Sequence, residues 1–387
     1  MSLLNTPVPL RDSLIGLDPY GAPEIDGVIR LNVNENPYPP SPPLRASLAQ
    51  AVTASLDNIN RYPDRDATAL RADLASYLNN QCQTELTADQ IWAANGSNEV
   101  MTHLLLAFGG PGRKLAIFTP TYSMYPQYAR DTMTDLVQVP RGDDYQISME
   151  SVRVLREEHQ PDIVLIAAPN NPTGTGTPLS LIDEVASFAP WLVIVDEAYQ
   201  EFTSEIGCSA VGMIGQHPNL VVTRTMSKAF ALAGARLGYM AADPSIVAAA
   251  RLVRLPYHMG AQTQALARAA LAASDEPLRH VAQLRKTCQD TQVWLRSLGL
   301  TVPDSQTNFA MFGPFKDSHL VWSQLLELGV LVREVGPAGY LRVSMGTPDD
   351  MVAFRECLVE VLDRDNVAVL DRDNIEVLDQ DNQEVTA

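Results

Sequence analysis

Between residues 91 and 275, short apolar runs alternate with segments of helical spacing: Ala116-Ile117-Phe118, Asp162-Ile163-Val164-Leu165-Ile166-Ala167, Trp191-Leu192-Val193-Ile194-Val195 and Leu220-Val221-Val222. A strand that is apolar at consecutive positions must be covered on both faces. Strands of this kind separated by helices predict an α/β fold with a mainly parallel sheet between helical layers. In such an open sheet, ligands bind beyond the carboxyl ends of the strands. Three of the runs are followed there by polar chemistry: Asn170-Asn171-Pro172, then Asp196 and Tyr199, then Lys228.

A chain of 387 residues exceeds the size at which one core keeps growing, so more than one domain is expected. The first forty-odd residues are proline-rich, as in Asn36-Pro37-Tyr38-Pro39-Pro40-Ser41-Pro42-Pro43, and predict an extended arm. The expected division is an arm over 1–44 joining the small domain, a large domain over 45–280, a smaller α+β domain over 281–362 and a tail over 363–387. Residues 361–387 repeat Val-Leu-Asp-Arg-Asp-Asn at an eight-residue period, with Gln for Arg in the third copy, and contribute −6 of the net charge of −18, so the tail reads as an acidic, solvated extension. The overall charge argues against a nucleic-acid partner. The chain shows no apolar run of membrane-spanning length and no secretory signal. Cys82, Cys208, Cys288 and Cys357 are scattered singly, suggesting neither a disulfide framework nor a metal site. A reducing cytoplasm is the simplest expectation.

Lys228 lies in Thr225-Met226-Ser227-Lys228, and Arg236 follows in Ala233-Gly234-Ala235-Arg236-Leu237-Gly238. An amine at a strand end, with two hydroxyls, glycines and an arginine nearby, suits an aldehyde cofactor that carries a phosphate. Asp196, at the end of a buried strand, needs a cation to tolerate burial, and a protonated pyridine nitrogen would supply one. The alternative for Asp196 is a helix cap. Asn95-Gly96-Ser97-Asn98-Glu99 precedes a helical pattern and offers free backbone N–H groups to an anion, with Ser97 expected to cap the helix. Tyr122, after another strand end, could stack on a planar ring or simply pack. The Asn171–Pro172 bond could be cis. Arg333 and Arg342 flank a Gly/Pro loop that reads as a hairpin, and period-two alternation lets both face one side. They suit a substrate with two anionic groups, or are surface arginines.

Together these strings resemble the fold-type I aminotransferases that use pyridoxal 5'-phosphate, and within them the histidinol-phosphate aminotransferase family. The likeness runs from about Leu31 to Leu362, on LNVNENPYPPSP, RYPD, NGSNE, PTYSMY, PNNPTG, VDEAY, TMSKAFALAGARLGY, LPYH and LVRE…YLRVSMGTP in the family's order. The resemblance implies that Lys228 forms the Schiff base and moves the proton. Asp196 would pair with the pyridine nitrogen, Asn171 and Tyr199 with the ring oxygen, and Tyr122 would stack on the ring. Gly96, Ser97, Asn98, Thr225, Ser227 and Arg236 would surround the phosphate. Tyr62 would reach the phosphate in the neighbouring subunit, which implies a homodimer with shared sites. Arg342 would clamp a carboxylate, while Arg333, Tyr20 and Asn34 would lie at the substrate's end.

The implied reaction moves an amino group between histidinol phosphate and 2-oxoglutarate, giving imidazole-acetol phosphate and glutamate in histidine biosynthesis. Three departures stand out: Asn98 where the family often has Asp, Ala235 where leucine is usual, and the acidic tail beyond about Leu362, which is foreign to the pattern. An aromatic amino acid aminotransferase, a decarboxylase of phosphorylated amino acids and a non-catalytic sensor on the same scaffold are the rival readings.

Overall fold

The computed structural model describes residues 9–188, 190–203, 209–364 and 367–370; Cys208 and residues 371–387 of the tail lie outside them. A seven-stranded sheet runs in the order Ile91–Ala94, Gly238–Ala242, Leu220–Thr225, Leu192–Asp196, Ile163–Ala167, Lys114–Thr119, Asp135–Pro140. Gly238–Ala242 is antiparallel to both neighbours, and the remaining pairings are parallel. The expected runs are therefore the centre of the sheet. The strands that the sequence reading did not name are peripheral to it. Asp135–Pro140 is one edge, with several half-buried or exposed positions that disguise it as a loop.

Alternation along the strands divides the core into two layers. Leu115, Ile117, Ile163, Leu165, Ile194 and Val221 pack against the helices Ser97–Phe108, Tyr125–Asp131 and Pro244–Val253. Val164, Ile166, Val193, Val195, Leu220 and Val222 belong to the other layer, which continues through the helix Thr68–Cys82 into the C-terminal part of the chain. Leu104, in the Ser97–Phe108 helix, is fully buried. Burying such a side chain contributes about 1.5–3 kcal/mol.

The C-terminal part is built on a three-stranded antiparallel sheet, Arg333–Glu334, Leu341–Ser344 and Phe309–Phe312. It is flanked by the helices Asp275–Ser297, Ser318–Glu327 and Pro348–Leu362. Asp275 and Glu276 occupy the first turn of the long helix and Arg296 its last, each favourable to the helix dipole. Glu276 also accepts from the Ser41 amide at 2.9 Å and the Ser41 hydroxyl at 2.7 Å, fixing the start of the Pro42–Ser55 helix. The arm is tied to this part. Ile29–Arg30 pairs in parallel with Val330–Leu331, and the Ser344 amide donates to Leu31 O at 2.8 Å.

The start of the tail is not simply solvated. Val361-Leu362, which begins the first repeat, closes the Pro348–Leu362 helix with Val361 fully buried. Val369, which begins the second, is instead extended and bridges Phe315. The Lys316 amide donates to Ala368 O and the Leu370 amide to Pro314 O, both at 2.9 Å. Identical sequence thus takes two conformations, because the first copy completes an amphipathic helix and the second meets an unpaired edge.

Candidate active site

A cavity of about 290 Å³ lies beyond the carboxyl ends of the central parallel strands, roofed by the arm and by the hairpin of the C-terminal part. Asp196, Thr225, Ser227 and Lys228 line its floor. Asp196 is buried and ends its strand, so it is not a helix cap. Its Oδ2 accepts from the Tyr125 hydroxyl at 2.9 Å and its Oδ1 from Thr223 Oγ1 at 3.1 Å. Burial pushes the Asp196 carboxyl up, against the pull of these hydrogen bonds. Among the described residues no ion pair supplies it with a cation.

The Lys228 ammonium donates to Val33 O of the arm at 2.9 Å. Burial, then the nearby Arg342 guanidinium, brings its pKa down to about 8, with Glu35 opposing. An amine held there is a better nucleophile and base near neutral pH than an ordinary lysine. Thr225 Oγ1 donates to Ser227 Oγ at 3.0 Å and accepts from the Ser227 amide at 3.1 Å, so the two hydroxyls form one compact turn.

Opposite this turn begins the Ser97–Phe108 helix. Its N-cap is Gly96, with φ +87°, and no side chain caps it. The expectation that Ser97 caps the helix is therefore corrected: Ser97 is its first residue. Glu99 instead reaches back, accepting from the Asn95 amide at 2.6 Å. A Cβ on Gly96 would lie 2.6 Å from Arg236 Nη2, and one on Gly238 would lie 2.0 Å from the Ser97 amide nitrogen. Two glycines thus let the helix start, the strand and the Arg236 guanidinium converge. Ser97, Asn98 and Arg236 line the same cavity.

Tyr199 and Asn171 stand between floor and mouth. The Tyr199 hydroxyl accepts from Asn34 Nδ2 at 2.9 Å. Asn171 Oδ1 accepts from Arg342 Nη1, and the Asn171–Pro172 peptide is cis. Arg342 is buried, donates to Asn32 O at 2.9 Å and lies over the Phe309 ring at 5.0 Å. Burial takes its pKa down to about 10, still charged at neutral pH. Arg333 is its cross-strand partner and also lines the cavity. Glu334, beside Arg333 in the strand, pairs with His319 at 3.1 Å. Tyr122 lines the wall, edge-on to Tyr125, and Tyr20, 45% exposed, stands at the opening within 3.4 Å of Ser123 Oγ.

Tyr62 is the exception. It is 80% exposed, stacked on Tyr257 at 4.3 Å, and outside this cavity. Sequence reasoning also missed two residues. Tyr125, in the same string as Tyr122, is the one bonded to Asp196; its helical spacing from Tyr128 was the available signal. Arg224, one residue before Thr225, faces the opposite side of the sheet and nothing in its spacing marked it.

The profile of the family described as "Aminotransferase class I and II" matches residues 26–357. The chain belongs to that aminotransferase family. Histidinol-phosphate aminotransferase 3 of Burkholderia lata is 51% identical over 355 residues, covering 92% of this chain and 96% of that protein. Histidinol-phosphate aminotransferase of Thermobifida fusca is 49% identical over 357 residues, with 92% and 96% covered. Among solved structures, histidinol-phosphate aminotransferase from Sinorhizobium meliloti in complex with pyridoxal-5'-phosphate superposes with a TM-score of 0.77 at 24% identity, over 86% of this chain and 90% of that one. A putative histidinol-phosphate aminotransferase from Erwinia carotovora atroseptica gives 0.77 at 26% identity, over 88% and 99%. The expected α/β architecture of fold-type I aminotransferases is thus the fold of this family member.

Proposed function

We propose that this aminotransferase uses pyridoxal 5'-phosphate to move an amino group between histidinol phosphate and 2-oxoglutarate, in histidine biosynthesis and in the cytoplasm. The observation that carries the chemistry is the pairing, in one cavity, of a lysine of lowered pKa with a buried carboxylate that no cation among the described residues pairs with. The residues fit the cofactor's three functional ends: an amine for the aldehyde, Asp196 for a protonated ring nitrogen, and the Gly96–Ser97 helix start with Thr225, Ser227 and Arg236 for the phosphate. When bound, the cofactor supplies an electron sink for the pair left at the substrate carbon. In this reading residues 45–280 form the cofactor-binding domain, and 281–362 with the arm form the substrate-facing one.

The chain's own groups then divide the work. Lys228 Nζ would hold the cofactor at its aldehyde carbon and, as a free amine, would take and return the proton at the substrate carbon. Asp196 would hold the ring nitrogen in its charged form. Asn171 and Tyr199 would donate to the ring oxygen, Tyr122 would cover a ring face, and Asn98 would support the phosphate end. Arg342 binds the carboxylate of glutamate, while Arg333, Tyr20 and Asn34 meet the far end of either substrate. Histidinol phosphate has no α-carboxylate, so its phosphate must use the same pair of guanidinium groups that holds the carboxylates of glutamate.

The working unit in this proposal is a homodimer in which Tyr62 reaches the site of the other subunit. Its support is the exposure of Tyr62 together with Leu56, Ile59, Leu255 and Tyr257, apolar groups left bare by the single chain. The relatives' names favour histidinol phosphate over aromatic amino acids. The test is transamination with 2-oxoglutarate, histidinol phosphate and phenylalanine measured in parallel. A large kcat/KM preference for histidinol phosphate is expected; equal or better use of phenylalanine would replace the substrate assignment with the aromatic one.

A further inference from the structure

Directly behind Asp196, on the other face of the sheet, lies a buried charge cluster that the reaction as described does not use. Asp196 and Thr223 are register partners, and their side chains meet on the cavity side. The next residue along each strand points the opposite way. There Arg224 Nε and Nη2 donate to Glu197 Oε2 at 3.0 and 2.8 Å, and Nη1 donates to Glu201 Oε1 at 3.2 Å. Glu197 is further held by Ser209 Oγ and the Ala210 amide, both at 2.7 Å. The side chains of Arg224, Glu197 and Glu201 are each at most 3% exposed.

The cluster therefore places two carboxylates and one guanidinium in the interior, immediately beside a third carboxylate that must be anionic to hold a cation. Like charges in a low-dielectric region raise one another's proton affinity. The cations on the cavity side, Lys228, Arg236, Arg333 and Arg342, make no ion pair with Asp196 among the described residues. The other titratable groups on that side are Tyr20, Tyr122, Tyr125, Tyr128 and Tyr199, with Glu35 in the same cavity, and Tyr77, Cys82 and Tyr239 face the cluster on the far side. On the far side Arg224 is the only cation paired to Glu197 and Glu201 among the described residues.

We propose that Arg224 is a positioning residue for Asp196. By neutralising Glu197 through the sheet, it keeps the adjacent Asp196 carboxylate anionic and fixed for a cationic ring nitrogen. This rests on the assignment of Asp196 made above. It adds that the charge state of the site is set from the face of the sheet opposite the cofactor.

The test is a ratio of affinities on the apoprotein. Pyridoxal phosphate is compared, by fluorescence titration, with its 1-deaza analogue, in which a C–H replaces the ring nitrogen. The parent should bind pyridoxal phosphate more tightly than the analogue. Arg224→Met should cut this preference about tenfold, the equivalent of one pKa unit at Asp196. Adding Glu197→Gln should restore most of it, because the uncompensated charge is gone. An unchanged preference with both affinities weakened would reduce Arg224 to a strand clamp and overturn the proposal. Equal affinities in the parent would instead overturn the Asp196 assignment. Should Arg224→Met fail to fold, Glu197→Gln alone decides. It should move the acid-side loss of the preference to lower pH, and no movement, or movement upward, sinks the idea.

Discussion

At the floor of the cavity, Asp196, Thr225, Ser227 and Lys228 stand at the ends of adjacent parallel strands, with Asp196 only 8% exposed. At its mouth, Arg342 is held by Asn32 across 310 residues of sequence, and Tyr20 is 45% exposed on an irregular arm. The floor inherits its geometry from sheet register, so its groups are positioned before any ligand arrives. The mouth is assembled from distant segments whose relative placement depends on tertiary contacts. Chemistry common to a family belongs on the first kind of scaffold, and substrate choice on the second.

The largest expected effect breaks the floor. Lys228→Ala removes nucleophile and proton carrier together, and turnover should fall by about 10⁴-fold or more, with the visible absorption of the cofactor–lysine link lost. An unchanged visible spectrum would remove Lys228 from its assigned role.

The same residue predicts a pH dependence of the apoprotein. Its folded pKa of about 8 lies below the ordinary 10.5. Between these values the unfolded chain binds the extra proton, so the burden on the fold is full below pH 8 and is relieved as pH rises toward 10.5. Lys228→Met apoprotein should therefore be more stable than the parent by about 3 kcal/mol at neutral pH, a gap that closes in alkali. Denaturation at several pH values checks this; a constant gap would show that the amine is well solvated.

The mouth should respond in substrate terms. Arg342→Gln should cost about a hundredfold in kcat/KM for both glutamate and histidinol phosphate, and Arg333→Ala about tenfold for histidinol phosphate with less for phenylalanine. These follow from charge-assisted hydrogen bonds worth about 3 and 1.5 kcal/mol. Arg333→Ala should not greatly alter cofactor affinity. Equal losses for the two substrates of Arg333→Ala would assign that residue to the hairpin's stability.

This contrast also sets what could be read from the sequence. The apolar runs named the central strands, and the residues just after them named the floor, because strand, turn and site are contiguous in the chain. The hairpin placing Arg333 opposite Arg342 was legible for the same local reason. Contacts such as Asn34 with Tyr199 and Lys228 with Val33 were not, since each joins segments more than 160 residues apart. The cap assigned to Ser97 failed because a glycine of positive φ, forced by the close approach of Arg236, took the position of a capping side chain. Arg224 was invisible because a buried arginine reads as a break in a strand until its partners are known.

The smallest effect would sharpen the boundary of the mouth. Val369 pairs with Phe315, whose amide donates to Gly339 O at 2.7 Å. Gly339 lies in the loop between Glu334 and Leu341, which carries Val335 into the cavity wall. The tail's first residues thus brace the hairpin without touching the floor. Deleting 367–387 removes the two backbone hydrogen bonds to Pro314 and Lys316, each worth about 1 kcal/mol, and should raise KM for histidinol phosphate about threefold. Cofactor affinity should not move. Deleting only 371–387 keeps the pairing and should leave KM unchanged. If both deletions act alike, the bracing is without consequence and the mouth ends at the hairpin; if cofactor affinity falls as well, floor and mouth are not the separate constructions their geometry indicates.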